Sequence, residues 1–167
     1  ISDRNGWGRI NDEEFSKDGR YGEAGIQEKG TRIKIIKLDN LELEKCDLIK
    51  IDIEGHEWNA INGGKKFIAK HKPIVYLEAK KTEGTKKYLK WFIENGWKCY
   101  WHFAWWYRPN NFKNNTNYQF RGHGDMNVLA VPENKLQPNF LPEIISANED
   151  WDQESYGNFF KKNKIKI

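Results

Sequence analysis

The stretch Asp47–Glu57, D-L-I-K-I-D-I-E-G-H-E, decides the fold. Its first half, Asp47–Asp52, reads as a strand that ends on an acid. Trp58, Ile61 and Ile68 follow at helical spacing, but Gly63–Gly64 interrupts them, so two short helical turns are expected over Glu57–Lys70. Pro73 stops the second turn and opens another strand, Ile74–Ala79 (I-V-Y-L-E-A), again with an acid near its C-terminal end. A strand, a helix and a second strand in that order imply a right-handed crossover and a parallel pair. In open α/β sheets ligands bind outside the carboxyl ends of the strands, and Asp52 and Glu78 fall there.

Upstream, Thr31–Leu38 (T-R-I-K-I-I-K-L) nearly alternates, as a strand with one wet face does. Downstream, Thr85–Asn95 predicts a helix: Thr85 is the candidate N-cap, Tyr88, Leu89, Phe92 and Ile93 form the apolar stripe, and Gly96 suits C′. Trp97–Trp106 and Met126–Val131 are strands with no helix between them, expected to pair as an antiparallel hairpin at the sheet edge. The pattern as a whole is α/β, with parallel strands plus a C-terminal antiparallel hairpin. Residues 1–30 hold six of the fourteen glycines and read as an irregular lead-in with a short hairpin. Residues 31–132 form the α/β core, and 133–167, where periodicity fades, a polar tail ending in a basic run.

Leu, Ile, Val and Phe make up 38 of 167 residues, barely above the roughly 20% at which chains stop folding, so the eight Trp and seven Tyr must supply core volume. No apolar run approaches the ~18 residues of a membrane span. The net charge of +4 invites a nucleic-acid reading. However, Lys outnumbers Arg 22 to 6 while Ile and Asn are also abundant, so codon bias explains much of the basic balance. The residue best suited to bidentate phosphate contacts is the depleted one, which argues against a nucleic-acid partner. Cys46 and Cys99 lie far apart, form no metal or redox spacing, and read as buried reduced thiols. No signal-peptide pattern opens the chain, and a cytoplasmic location is expected.

Asp52, at the tip of a central strand, could orient an acceptor hydroxyl, accept its proton or hold a cation; the alternative is an Asp capping the next helix. Glu54, His56 and Glu57 share the following turn, where Gly55 lets the backbone bend. Together they suit acid/base work, or an acid cluster favoured by the helix dipole. We assign Asp52, Glu54 and His56 to catalysis and no residue to a metal. His56 titrates near neutrality when unperturbed, so it is either a general base or a wet turn histidine. Glu57 and Glu78 are expected to face substrate. In Arg121–Asp125 (R-G-H-G-D), His123 sits between glycines and Asp125 opens the last strand; both are substrate-side candidates. Ten of the 24 aromatics fall in residues 97–120. Alternation puts Trp97, Trp101, Phe103 and Trp105 on one face and Tyr100 and Trp106 on the other. Trp105 and Trp106 are the candidate stacking surface for a sugar ring or a base, while His102 reads as packed.

Lys50–Glu57 (K-I-D-I-E-G-H-E), Asn62-Gly63-Gly64 and Lys72–Glu78 (K-P-I-V-Y-L-E) together resemble the core signature of the FkbM-type methyltransferases. Ile36–Leu41 (I-K-L-D-N-L) is similar to the Asp turn that precedes this signature, and Gly124–Pro132 (G-D-M-N-V-L-A-V-P) to the family's closing strand. The resemblance runs from Thr31 to Pro132. It implies a class I Rossmann-like sheet, S-adenosylmethionine as cofactor, and methyl transfer to a hydroxyl of a sugar or other small metabolite. The family's Gly-rich cofactor loop and ribose-holding acid are not matched here. Gly6-Trp7-Gly8 follows no apolar strand, so cofactor-binding residues are unassigned and the chain reads as the substrate-side part of such an enzyme, possessing Ile1 rather than Met at its start. The rival reading is a non-catalytic module that grips a glycan or a single strand through residues 97–120.

Overall fold

Apolar residues at every second position make β4 (Leu48–Ile51) and β5 (Ile74–Glu78), which pair parallel from Leu48↔Ile74 to Ile51↔Leu77. This arrangement is seen in a computed structural model that describes residues 1–10, 26–108, 111–114 and 123–162. Gly19, Gly22 and Gly25 of the lead-in, Arg121–Gly122 and the last residues of the basic tail lie outside the described residues, as do Tyr118 and Phe120. Between β4 and β5 run two short helices, α1 (Glu57–Asn62) and α2 (Lys65–His71), as the glycine pair predicts. Close packing is what requires those glycines. A Cβ on Gly63 would lie 2.1 Å from the backbone oxygen of Ser2, and one on Gly64 would lie 2.6 Å from the Leu38 side chain. The Asp39 carboxylate accepts a hydrogen bond from the Phe67 amide at 2.8 Å, satisfying one of α2's free N–H groups.

The next helix, α3, spans Glu83–Glu94 and starts two residues earlier than the apolar stripe suggests. Thr82, in extended backbone, is the N-cap, and its hydroxyl accepts from the Thr85 amide. Thr85 instead lies inside the first turn and donates its hydroxyl to the Lys80 carbonyl. Two threonines three residues apart can each cap a helix, and the one with extended backbone takes the role. Gly96, at φ +86°, ends the helix as expected.

Strands β6 (Trp97–Trp105) and β7 (Gly124–Pro132) pair antiparallel along their whole lengths. They are not simply appended at the edge. Strand β7 lies between β5 and β6 and is antiparallel to both, and β8 (Glu143–Ile144) closes the outer side of β6, giving the order β4-β5-β7-β6-β8. The crossover through α3 sets β6 one strand-width away from β5, and the returning chain fills the gap. A separate antiparallel sheet, order β2-β1-β3, is built from β1 (Gly6–Ile10), β2 (Ile26–Gln27) and β3 (Thr31–Ile35). The fold is mixed α/β.

The main core lies on one face of the five-stranded sheet, while Tyr100, Asn127 and Val131 are buried on the other. Val75, Leu77, Val128, Ala130, Cys99 and Trp101 point to the core face, and Leu89, Phe92, Ile61 and Ile68 cover it, all nearly or fully buried. The chain past Pro132 contributes as well: Leu141 and Ile144 are buried, and Tyr156 of α4 (Gln153–Lys162) packs 6.0 Å from the Phe103 ring. No described helix is long and apolar enough to cross a membrane.

Trp97 anchors this core, 1% exposed, edge-on to Phe92 and donating its indole N–H to the Pro73 carbonyl at 3.0 Å. Trp97→Ala is expected to lower stability by about 3–5 kcal/mol in urea denaturation. A loss under about 1 kcal/mol would contradict the placement.

Candidate active site

The acids foreseen at the strand ends converge. One carboxylate oxygen from each of Asp52, Glu54 and Glu78 lies within 4.8 Å of the others. Strand β4 delivers Asp52 and β5 delivers Glu78. Glu54 enters through a left-handed backbone at φ +50°, followed by Gly55 at φ +86°. This double reversal is what makes the turn after β4 fold back over the sheet end.

Lys80 holds the cluster together. Its ammonium donates to Glu54 at 2.5 Å and stands 3.4 Å from Glu78 Oε2, within ion-pair range but without a hydrogen bond. Asp52 is more exposed and bonds Lys50 at 2.8 Å. The Glu78 carboxyl titrates above its ordinary range, because burial outweighs the attraction of Lys80 and Glu54 adds repulsion. Lys80 is held more firmly protonated by its bond to Glu54. Asp52, Glu54 and Glu78 could each give one oxygen to a cation, but the Lys80 ammonium already supplies positive charge to two of them.

His56 precedes α1 as its N-cap residue, with Nδ1 buried and without a hydrogen-bond partner. Glu57, 6% exposed, turns its carboxylate onto the Gly55 amide at 3.0 Å, inside the turn itself. Trp105 and Trp106 part company as alternation requires. Trp105 packs edge-on to Phe103 on the core side, while Trp106, 56% exposed, stacks on His123 at 5.9 Å and donates to Asp125 at 2.6 Å. The cross-strand pairs Glu78↔Asn127, Asn127↔His102 and Ala104↔Asp125 put the Trp106–His123–Asp125 group at the same end of the sheet as Glu78.

Two features were not singled out by sequence reasoning. Lys80 was passed over as one of many lysines, although its place two residues after the Glu78 strand end was a readable signal. The other is a bond of 2.7 Å between the Tyr76 hydroxyl and His102 Nδ1, which spans β7 on the sheet face opposite the helices. Burial raises the Tyr76 hydroxyl to about 12 and holds His102 below its usual range, so both are neutral near pH 7 and the tyrosine donates.

A raised Glu78 makes a testable statement about stability. With its folded proton affinity above the unfolded value, its contribution is fully present below the unfolded pKa and is lost as pH rises through the folded one. Melting temperatures measured from pH 4 to 8 should therefore decline more with rising pH in the wild type than in Glu78→Gln. Parallel pH profiles would contradict the burial assigned to this carboxyl.

No curated protein and no solved structure matches the chain. The sequence profile of the methyltransferase FkbM domain matches residues 6–99, so the matched region begins with β1 and takes in the three-stranded sheet, the Asp52–Glu54–Glu78 cluster and the start of β6. It thus reaches further upstream than the resemblance from Thr31, and stops before β7. Covering more than half of the 167 residues, this match shows that the chain belongs to the methyltransferase FkbM domain family.

Proposed function

We propose that the chain serves methyl transfer from S-adenosylmethionine to a hydroxyl oxygen of a sugar or other small metabolite, on a sheet of the class I Rossmann-like type. The convergence of Asp52, Glu54 and Glu78 outside the carboxyl ends of β4 and β5 carries this reading. When bound, the donor supplies an electrophilic methyl group on a sulfonium. Among the described residues no Gly-rich turn follows a parallel strand, so nothing seen here fits the nucleoside end of the donor, and the roles below concern the acceptor alone.

Asp52, the most exposed of the three acids, accepts a hydrogen bond from a neighbouring hydroxyl of the acceptor and so orients the reacting one toward Glu78. Glu78, with its raised proton affinity, takes the proton as the oxygen becomes bonded to carbon. Glu54 is the anchor that keeps Lys80 beside Glu78. His56, whose buried Nδ1 has no hydrogen-bond partner among the described residues, is a second candidate proton acceptor in the turn after β4. The Trp106–His123–Asp125 group offers a ring face and a carboxylate for a sugar, while Trp105 on the core side and Glu57 inside its own turn hold the surrounding backbone. We also place the protein in the cytoplasm, where its two cysteines, both free, stay reduced.

Transfer of tritiated methyl from S-adenosylmethionine to a panel of monosaccharides tests the reading. Asp52→Asn and Glu78→Gln should each cut turnover by roughly tenfold or more while the thermal melt stays cooperative. Near-normal turnover in both variants would remove the acid cluster from the reaction.

A further inference from the structure

A second surface, remote in sequence from the acid cluster, gathers cations on one sheet face. In the three-stranded sheet, Trp7, Arg9, Arg32 and Lys34 are all exposed, and the register sets Arg9 directly opposite Arg32 and Trp7 opposite Lys34. Directly opposed residues share a face, so all four crowd the outer one. The inner face is apolar: Ile35 is 2% exposed, and a Cβ on Gly8 would meet its side chain at 2.4 Å. Like charges directly opposite on adjacent strands repel and weaken the pairing. Among the described residues no acid forms an ion pair with Arg9, Arg32 or Lys34. Arg9 donates to the Gly30 carbonyl, a neutral partner. The Arg32 guanidinium carbon lies over the Trp7 ring, 4.0 Å from its centroid.

That stacking presets the ligand chemistry. It holds a guanidinium in place, and a guanidinium can make two parallel bonds to a planar oxyanion. The backbone positions that carry these cations stand about 5 Å apart across the strands and about 7 Å along them, a two-dimensional array suited to successive anionic groups of a polymer. A nucleic-acid strand would bind by laying bases on aromatic faces, and here one face of the Trp7 ring is already taken by Arg32. We propose that this face binds an acidic polysaccharide through its carboxylates, with Arg9, Arg32 and Lys34 as the cations and Trp7 as the platform that orients Arg32. The surface lies on a different sheet from the acid cluster and does not depend on the methyl-transfer reading.

The test is fluorescence anisotropy with the whole chain and labelled oligogalacturonate, set beside neutral dextran and oligothymidylate. Oligogalacturonate should bind, more weakly as salt rises, and the Arg9→Gln/Arg32→Gln variant should lose affinity by about tenfold or more. Its melting temperature should hold or rise, since a repulsion has been relieved. Equal affinity for dextran, or an unchanged affinity in the folded variant, would overturn the proposal, as would tighter binding of oligothymidylate. The sequence 11–25 carries five acids against two cations. If the wild type fails to bind while Asp12→Asn/Glu13→Gln/Glu14→Gln binds, the face serves the chain's own acids and the proposal falls.

Discussion

Three carboxylates brought within 4.8 Å of one another repel, and the repulsion grows as water is withdrawn. That constraint governs the upper end of the five-stranded sheet. Parallel pairing of β4 with β5 leaves both strand ends side by side, so Asp52 and Glu78 cannot avoid each other. The left-handed step at Glu54 then adds a third acid. Lys80 makes the arrangement tolerable, bonding Glu54 and standing beside Glu78 as their shared counter-charge. Isolated ion pairs at a surface contribute little, but here one ammonium serves two carboxylates that are each about three-quarters or more buried. The residual effect is a Glu78 with raised proton affinity, the property on which the proposed proton transfer from a hydroxyl rests.

The rest of the fold keeps that end of the sheet in place. One face of β4, β5, β7 and β6 carries the core, and α1, α2 and α3 cover it. The opposite face carries Lys50, Tyr76, Glu78, Asn127 and His102 in cross-strand register. The Tyr76–His102 bond ties β5 to β6 over the intervening β7. Because β7 runs between them, a shift of the hairpin register by one residue would turn Val128 and Ala130 away from the helices and set Asn127 and Leu129 against them. At Gly124 a Cβ would lie 2.4 Å from the Ala104 carbonyl, so the hairpin closes tightly where Trp106 and Asp125 meet.

Much of this was legible in the sequence because it rests on local period and punctuation. The parallel pair, the broken helix at Gly63–Gly64, the C′ role of Gly96 and the alternation of Trp105 against Trp106 all follow from spacing within a few residues. What was not legible depends on contacts distant in sequence. Nothing local distinguishes Thr82 from Thr85 as the cap, and nothing near Trp97 says that β7 rather than β6 will lie against β5. The polar composition after Pro132 conceals Leu141, Ile144 and Tyr156, which are buried singly and so leave no period. At the site, the acids were readable as strand ends, whereas Lys80 and the Tyr76–His102 bond emerge only once strands far apart in sequence are laid side by side. Glu57 looked like a ligand-facing acid, but its carboxylate is bonded to the backbone of its own turn.

The central claim is that the reacting methyl group is brought to the ends of β4 and β5. Ultraviolet photo-crosslinking of the folded chain with methyl-tritiated S-adenosylmethionine, followed by peptide mapping, tests it most directly. Label confined to peptides containing Lys50–Glu57 or Tyr76–Lys80, and reduced by excess unlabelled donor, is the predicted result. Competed label on other peptides, with none on these two, would contradict the account.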